Sequence, residues 1–197
     1  NEGSGTTAAD ASGNGHAATL VNGTAWLAGQ YGNGLSFDGV NDSVTLANPG
    51  TLNFGTADFT IMAWIKRNAL GGSAQRHIFA KCATGGWASG CKELYFAGNT
   101  LQFGSFATGD TSSISIADTN WHHVAVTFTR GTNTVRFYVD GTLRTTATKN
   151  LEADNAAHVV TLGNMHGSNP FSGMIDEVRI YNQALSAAQV VSDMNSP

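Results

Sequence analysis

The chain has 197 residues, 41% hydrophobic and 12% charged, and its 10 Lys and Arg against 14 Asp and Glu give a net charge of −4 with pI near 5.8. That length builds one well-buried core, so a single domain over 1–197 is expected. The basic residues are scattered rather than gathered into a stripe, which argues against nucleic acid. No apolar run approaches the roughly 20 residues that cross a bilayer, which argues against a membrane partner.

The polar start NEGSGTTAAD is not a signal peptide, and the chain reads as a soluble domain excised from a larger secreted protein. Its 24 glycines against three prolines describe turns between short strands. Period-two apolar alternation then predicts strands at 34–39 (GLSFDG), 43–47, 59–66 (FTIMAWIK), 77–81, 93–98, 101–106, 122–129 (HHVAVTFT), 134–141 (TVRFYVDG), 159–164 and 174–182. SAAQVVSDM at 186–194 reads as a short C-terminal helix N-capped by Ser186. The class is all-β, a sandwich of antiparallel sheets.

In the hairpin of 122–129 and 134–141 the inward residues are Val124, Val126, Phe128, Val135, Phe137 and Val139. The opposite face carries His123, Thr127, Arg136 and Tyr138. The same split in FTIMAWIK sets Trp64 outward, so this sheet is expected to offer an aromatic and polar outer face, a platform for a flat ligand.

Cys82 and Cys91, the two cysteines of the chain, close the Gly-rich loop KCATGGWASGCKE. Nine residues apart, they suit neither a CxxC redox motif nor, without a second pair, a zinc site. A disulfide in an oxidising compartment is the reading, with two free thiols the alternative. Trp87 sits within that loop, either as a ring offered to a ligand or as a lid folded back on the sandwich.

Five ordered blocks resemble the LamG-like jelly-roll domains of the concanavalin A-like superfamily, related to laminin G and pentraxin folds. They are EGSGTTAADASGNGHAATLVNGTAWLAGQYGNGLSFDGVNDSVTL, DFTIMAWIK, NWHHVAVTF, FYVDG and FSGMIDEVRIYNQALSAAQV, and they cover nearly the whole chain. The resemblance implies a two-sheet jelly roll whose chain ends come together, with Trp26, Trp64 and Trp121 in the shared pattern as packed rings. CATGGWASGC matches none of these blocks.

DASGNGH places Asp10, Ser12 and Asn14 at alternate positions before a glycine, as in calcium loops and also in ion-free Asx turns. The resemblance adds Asp176 of the IDEVRIY segment, and so implies a structural calcium site formed by Asp10, Asn14 and Asp176. None of the six histidines shows zinc spacing. His122 and His123, adjacent on a strand, point to opposite faces.

Catalysis on glycans calls for paired carboxylates or a Tyr/His pair with Arg and Gln. Glu93, Asp110 and Glu152 stand alone, and no nucleophile elbow, P-loop or GxGxxG is present. The expectation is therefore a noncatalytic carbohydrate-binding module of a secreted, bacterial multidomain protein, joined in the parent chain to a catalytic domain. It would hold a polysaccharide or oligosaccharide on Trp87, with Arg76, His77, Lys81 and Lys92 as polar or cationic partners and His166 and Asn169 as a second group. The basic residues from 76 to 92 tilt the ligand toward an acidic polysaccharide. A protein-interaction or adhesion domain is the alternative, and a glycan lyase or hydrolase is a third.

Overall fold

The computed structural model describes residues 3–196 apart from 48, 53, 55, 69, 73, 107 and 108. Its strands in chain order are β1 (Thr7–Ala8), β2 (Ala18–Val21), β3 (Ala25–Ala28), β4 (Asn33–Asp38), β5 (Ser43–Leu46), β6 (Phe59–Arg67), β7 (Gln75–Cys82) and β8 (Lys92–Ala97). They continue with β9 (Thr100–Ser105), β10 (Gly109–Ser115), β11 (Trp121–Thr129), β12 (Thr134–Val139), β13 (Thr142–Thr148), β14 (Val159–Leu162) and β15 (Ser172–Tyr181), and helix α1 (Ala187–Met194) closes the chain. An eight-stranded sheet, β1-β2-β5-β14-β7-β8-β9-β10, faces a seven-stranded sheet, β13-β12-β11-β6-β15-β4-β3. All pairings are antiparallel. This is the two-sheet jelly-roll sandwich that the sequence implies.

Alternation builds the core. Val124, Val126 and Phe128 of β11 and Val135, Phe137 and Val139 of β12 face Leu94, Phe96, Leu101 and Phe103 of the opposite sheet, all buried in one cluster. Each such side chain contributes about 1.5–3 kcal/mol on leaving water. The β11–β12 turn holds Asn133 at φ 50°, a left-handed position that asparagine tolerates. The ten predicted strands are all present, each shifted by a residue or two. The helix starts where expected, because Ser186 and Gln189 form a reciprocal capping box.

On the outer face of the seven-stranded sheet, the C-terminal segment covers the aromatic residues, and Trp64 is packed as the family resemblance implies. Helix α1 lays Val190 over Met62, Ala125 and Tyr138, leaving Tyr138 only 3% exposed. Trp64 is half-buried under the C-terminal segment, where its Nε1 donates to the Met194 carbonyl at 3.3 Å and its ring lies against Tyr31 and His123. Trp26 packs against the core and donates to the Gly5 carbonyl at 3.1 Å, and Trp121 is half-buried.

Candidate functional site

The outer face of the eight-stranded sheet is built differently. Register pairs His77 with Tyr95, and Glu93 with Ala80 on one side and Gly104 on the other. The alternation that sends Leu94 and Phe96 inward therefore sends Glu93 and Tyr95 outward. The His77 ring stacks on Tyr95 with centroids 5.1 Å apart, and its Nε2 lies 3.0 Å from Glu93 Oε2. All three are buried although they face away from the core, because two loops fold across them.

The first loop, 83–91, is bound at its base by the Cys82–Cys91 disulfide. Two tight turns bracket Trp87: Gly86 N–H donates to the Ala83 carbonyl at 2.9 Å, and Cys91 N–H to the Ala88 carbonyl at 3.0 Å. Ser89 donates to Glu152 at 3.0 Å, and the Lys92 ammonium donates to the carbonyls of Gly90 and Cys91 at 3.2 and 3.3 Å. The loop is thus held from four directions, while a Cβ at Gly85 or Gly86 would meet nothing within 4 Å. Its tip is open.

The second loop, 163–170, turns through His166 and Asn169, both at positive φ. His166 Nε2 donates to the Cys82 carbonyl at 3.0 Å, and Asn169 Nδ2 donates to Gln75 Oε1 at 3.1 Å.

Between these loops and the β9–β10 connection lies a cleft of roughly 320 Å³, lined by Gln75, Trp87, Glu93, Phe106, Gly109 and Met165. Trp87 is 41% exposed and Phe106 44%, and their ring centroids are 5.8 Å apart. The volume is at the small end for a ligand cleft, and the lining has the expected make-up: two aromatic rings, one thioether, one amide and one carboxylate. Trp87 is neither a buried lid nor a free ring. It stands against Phe106 with much of its surface open.

The expected partners divide. Asn169 orients Gln75, and His166 ties the second loop to the first, so both support the cleft from behind. His77 lies beneath it, backing Glu93. Lys81 and Lys92 are corrected: each is fully buried, Lys81 paired with Asp154 and the Leu52 carbonyl, Lys92 occupied by its loop carbonyls. Burial pulls the Lys92 amine down to about 8. Arg76 alternates away from His77 and donates to the Gln75 carbonyl at 3.0 Å. Phe106, Gln75, Glu93 and Met165 were not anticipated as lining. Parity carried the signal for two of them: if Leu101 and Phe103 point inward, Phe106 falls on the outer face, and Glu93 does so opposite Leu94.

Of the three residues expected to hold calcium, Asp10 and Asn14 lie in the loop between β1 and β2, and Asp176 lies on β15. Asp10 accepts the Ser12 hydroxyl at 2.6 Å and the N–H groups of Ser12 and His16, both at 2.9 Å, and the Ser12 hydroxyl foremost lowers its carboxyl to about 2. Asp176 lies in the other sheet, where Tyr31 and Glu177 give it N–H groups at 2.9 Å. Burial nonetheless raises its pKa. Asp10 thus holds its own loop, and Asp176 ties the β3–β4 connection at Tyr31 to β15.

Fold and cleft together define a jelly-roll domain with a loop-built aromatic cleft on one sheet. A family model described as "Concanavalin A-like lectin/glucanases superfamily", Laminin_G_3, matches residues 37–191, and the chain belongs to that family. Among solved structures it is similar to domain 4 of AbnA, a GH43 extracellular arabinanase from Geobacillus stearothermophilus, in complex with arabinotriose (TM-score 0.76, 23% identity, 93% of this chain and 91% of that one). It is also similar to the binding domain of botulinum neurotoxin DC in complex with SialylT (TM-score 0.71, 16% identity, 95% and 48%). A third is a native heptameric SAP-like pentraxin from Limulus polyphemus (TM-score 0.61, 17% identity, 79% and 78%). No curated protein matches the chain.

Proposed function

We propose that this domain binds carbohydrate without transforming it, in the cleft walled by Trp87 and Phe106. The observation that carries the reading is the exposed ring pair at the rim of a cleft whose loop is pinned by a disulfide. Aromatic faces hold the C–H face of a sugar, and a loop already ordered loses little entropy on binding. Two structures of like fold are complexes with arabinotriose and with SialylT, which supports a sugar as ligand.

Glu93 is the one carboxylate among the described lining residues, whereas glycoside hydrolysis takes two, so binding alone suits the site better. The disulfide supports an extracellular setting. A secreted parent protein with a catalytic domain completes the proposal.

The test is a glycan array followed by calorimetric titration of the wild type and Trp87→Ala. The variant is expected to fold and to lose roughly 1–3 kcal/mol of affinity, the scale of one stacked ring. Undiminished affinity in a folded Trp87→Ala protein would move the site elsewhere.

A further inference from the structure

The loop segments ATGGWASG (83–90) and GNMHGSNP (163–170) contain no lysine or arginine, and neither do the described lining residues Gln75, Trp87, Glu93, Phe106, Gly109 and Met165. Of the nearest cations in sequence, Lys81 and Lys92 are buried and occupied, and Arg76 turns to the other face. What the cleft does hold is Glu93, backed by the fully buried His77 at 3.0 Å. A ligand carboxylate entering here would meet a protein carboxylate with no lysine or arginine among the described lining residues to pair with, and an unpaired charge moved out of water is strongly disfavoured. An uncharged sugar has no such penalty: its hydroxyls donate to Glu93 or exchange hydrogen bonds with Gln75, and its C–H face meets the two rings.

We propose that the cleft is selective for uncharged glycans and that Glu93 is its specificity-determining residue, repelling uronates and other acidic sugars. This rests on the cleft being the glycan site. It reverses the tilt toward acidic polysaccharide that basic residues close in sequence suggest.

Calorimetric titration of wild type, Glu93→Gln and Trp87→Ala with neutral pentose and hexose oligosaccharides, and with oligogalacturonate and oligomannuronate, tests it at low and high salt. The wild type is expected to bind a neutral oligosaccharide at least about tenfold more tightly than any uronate, with neutral binding insensitive to salt and the weak uronate binding strengthened by it. Glu93→Gln is expected to narrow that gap. If the variant does not fold, the wild-type ratio and its salt response still decide.

Uronates binding as tightly as neutral sugars, with that binding lost in Trp87→Ala, would overturn the charge selectivity and leave the cleft as the site. A gap unchanged in folded Glu93→Gln would overturn the role of Glu93. Absence of binding by every oligosaccharide, or binding indifferent to Trp87→Ala, would overturn the cleft reading and this inference with it.

Discussion

Trp87 leans on Phe106 across the mouth of the cleft, ring centroids 5.8 Å apart and planes at 49°, although the two belong to loops some twenty residues apart. The contact gives each ring a side to rest on and leaves the other side open. The pair therefore makes one corner wall rather than two separate contacts.

Phe106→Ala is expected to weaken glycan binding about as much as Trp87→Ala, by roughly 1–3 kcal/mol, and to leave the melting temperature nearly unchanged, since the ring is 44% exposed. Phe103→Ala, three residues earlier on β9, should do the reverse. Its ring is 1% exposed in the core, and truncation there costs about 3–5 kcal/mol. Paired melts and titrations check this, and a large loss of stability in Phe106→Ala would return that ring to a packing role.

The disulfide carries the second prediction. Closing a ring of this size stabilises by about 2–3 kcal/mol on the chain-entropy account. A Cys82→Ala, Cys91→Ala double variant should lose that much unfolding free energy, melt at a lower temperature and bind glycan more weakly, with the loss appearing as unfavourable entropy in calorimetry. A lower melting temperature with intact affinity would show that Lys92 and the turns alone keep the loop in place.

How far the fold could be read before it was seen follows where strands are buried. Every predicted strand lies inside a sheet or packs one apolar face on the core, and there alternation is enforced by burial. The strands that escaped include β1, β3, β10 and β13, the four sheet edges. TLRTTAT in β13 is exposed or half-exposed throughout, so nothing in it needs to alternate. The cleft was half legible. Trp87 stood out because its loop departs from the family pattern, but His77, Lys81 and Lys92 near it in sequence were taken for exposed partners. Residues on one strand alternate between faces, and whether a lysine ends in water or against Asp154 depends on the 149–158 segment, which lies far along the chain.

Chelation gives a third test. Since Asp10 accepts N–H groups from Ser12 and His16 of its own loop, and Asp176 accepts them from Glu177 and from Tyr31 in the β3–β4 connection, EDTA is expected to leave the melting temperature unchanged. Asp176→Ala should lower the melting temperature, with a loss of unfolding free energy on the order of 1–3 kcal/mol for each buried N–H left without its acceptor. A melting temperature that falls in EDTA and recovers with added calcium would restore an ion to these residues.

The last prediction concerns pH. His122 stands between two carboxylates, its Nδ1 2.8 Å from Asp140 Oδ2 and its Nε2 3.0 Å from Asp118 Oδ1. Only a protonated ring donates from both nitrogens. Burial pulls its pKa down, but hydrogen bonds to Asp140 and Asp118 and their charges outweigh that, and the net shift is upward. A raised folded-state pKa means stability fully present below the unfolded value near 6.5 and lost as pH rises through the folded one. His123, its neighbour on the opposite face, behaves the other way: burial depresses it to about 4, so its contribution is lost as pH falls below about 6.5. His158 and His166, also depressed by burial, add to that acid limb. These opposed slopes place a stability maximum near pH 6.5, while Lys92, depressed by burial to about 8, adds stability as pH rises above about 8. Melting temperatures from pH 5 to 8 check this in the wild type and in His122→Gln. The variant should keep the acid limb and lose the decline above 6.5, and a decline that persists in it would assign the effect to another group.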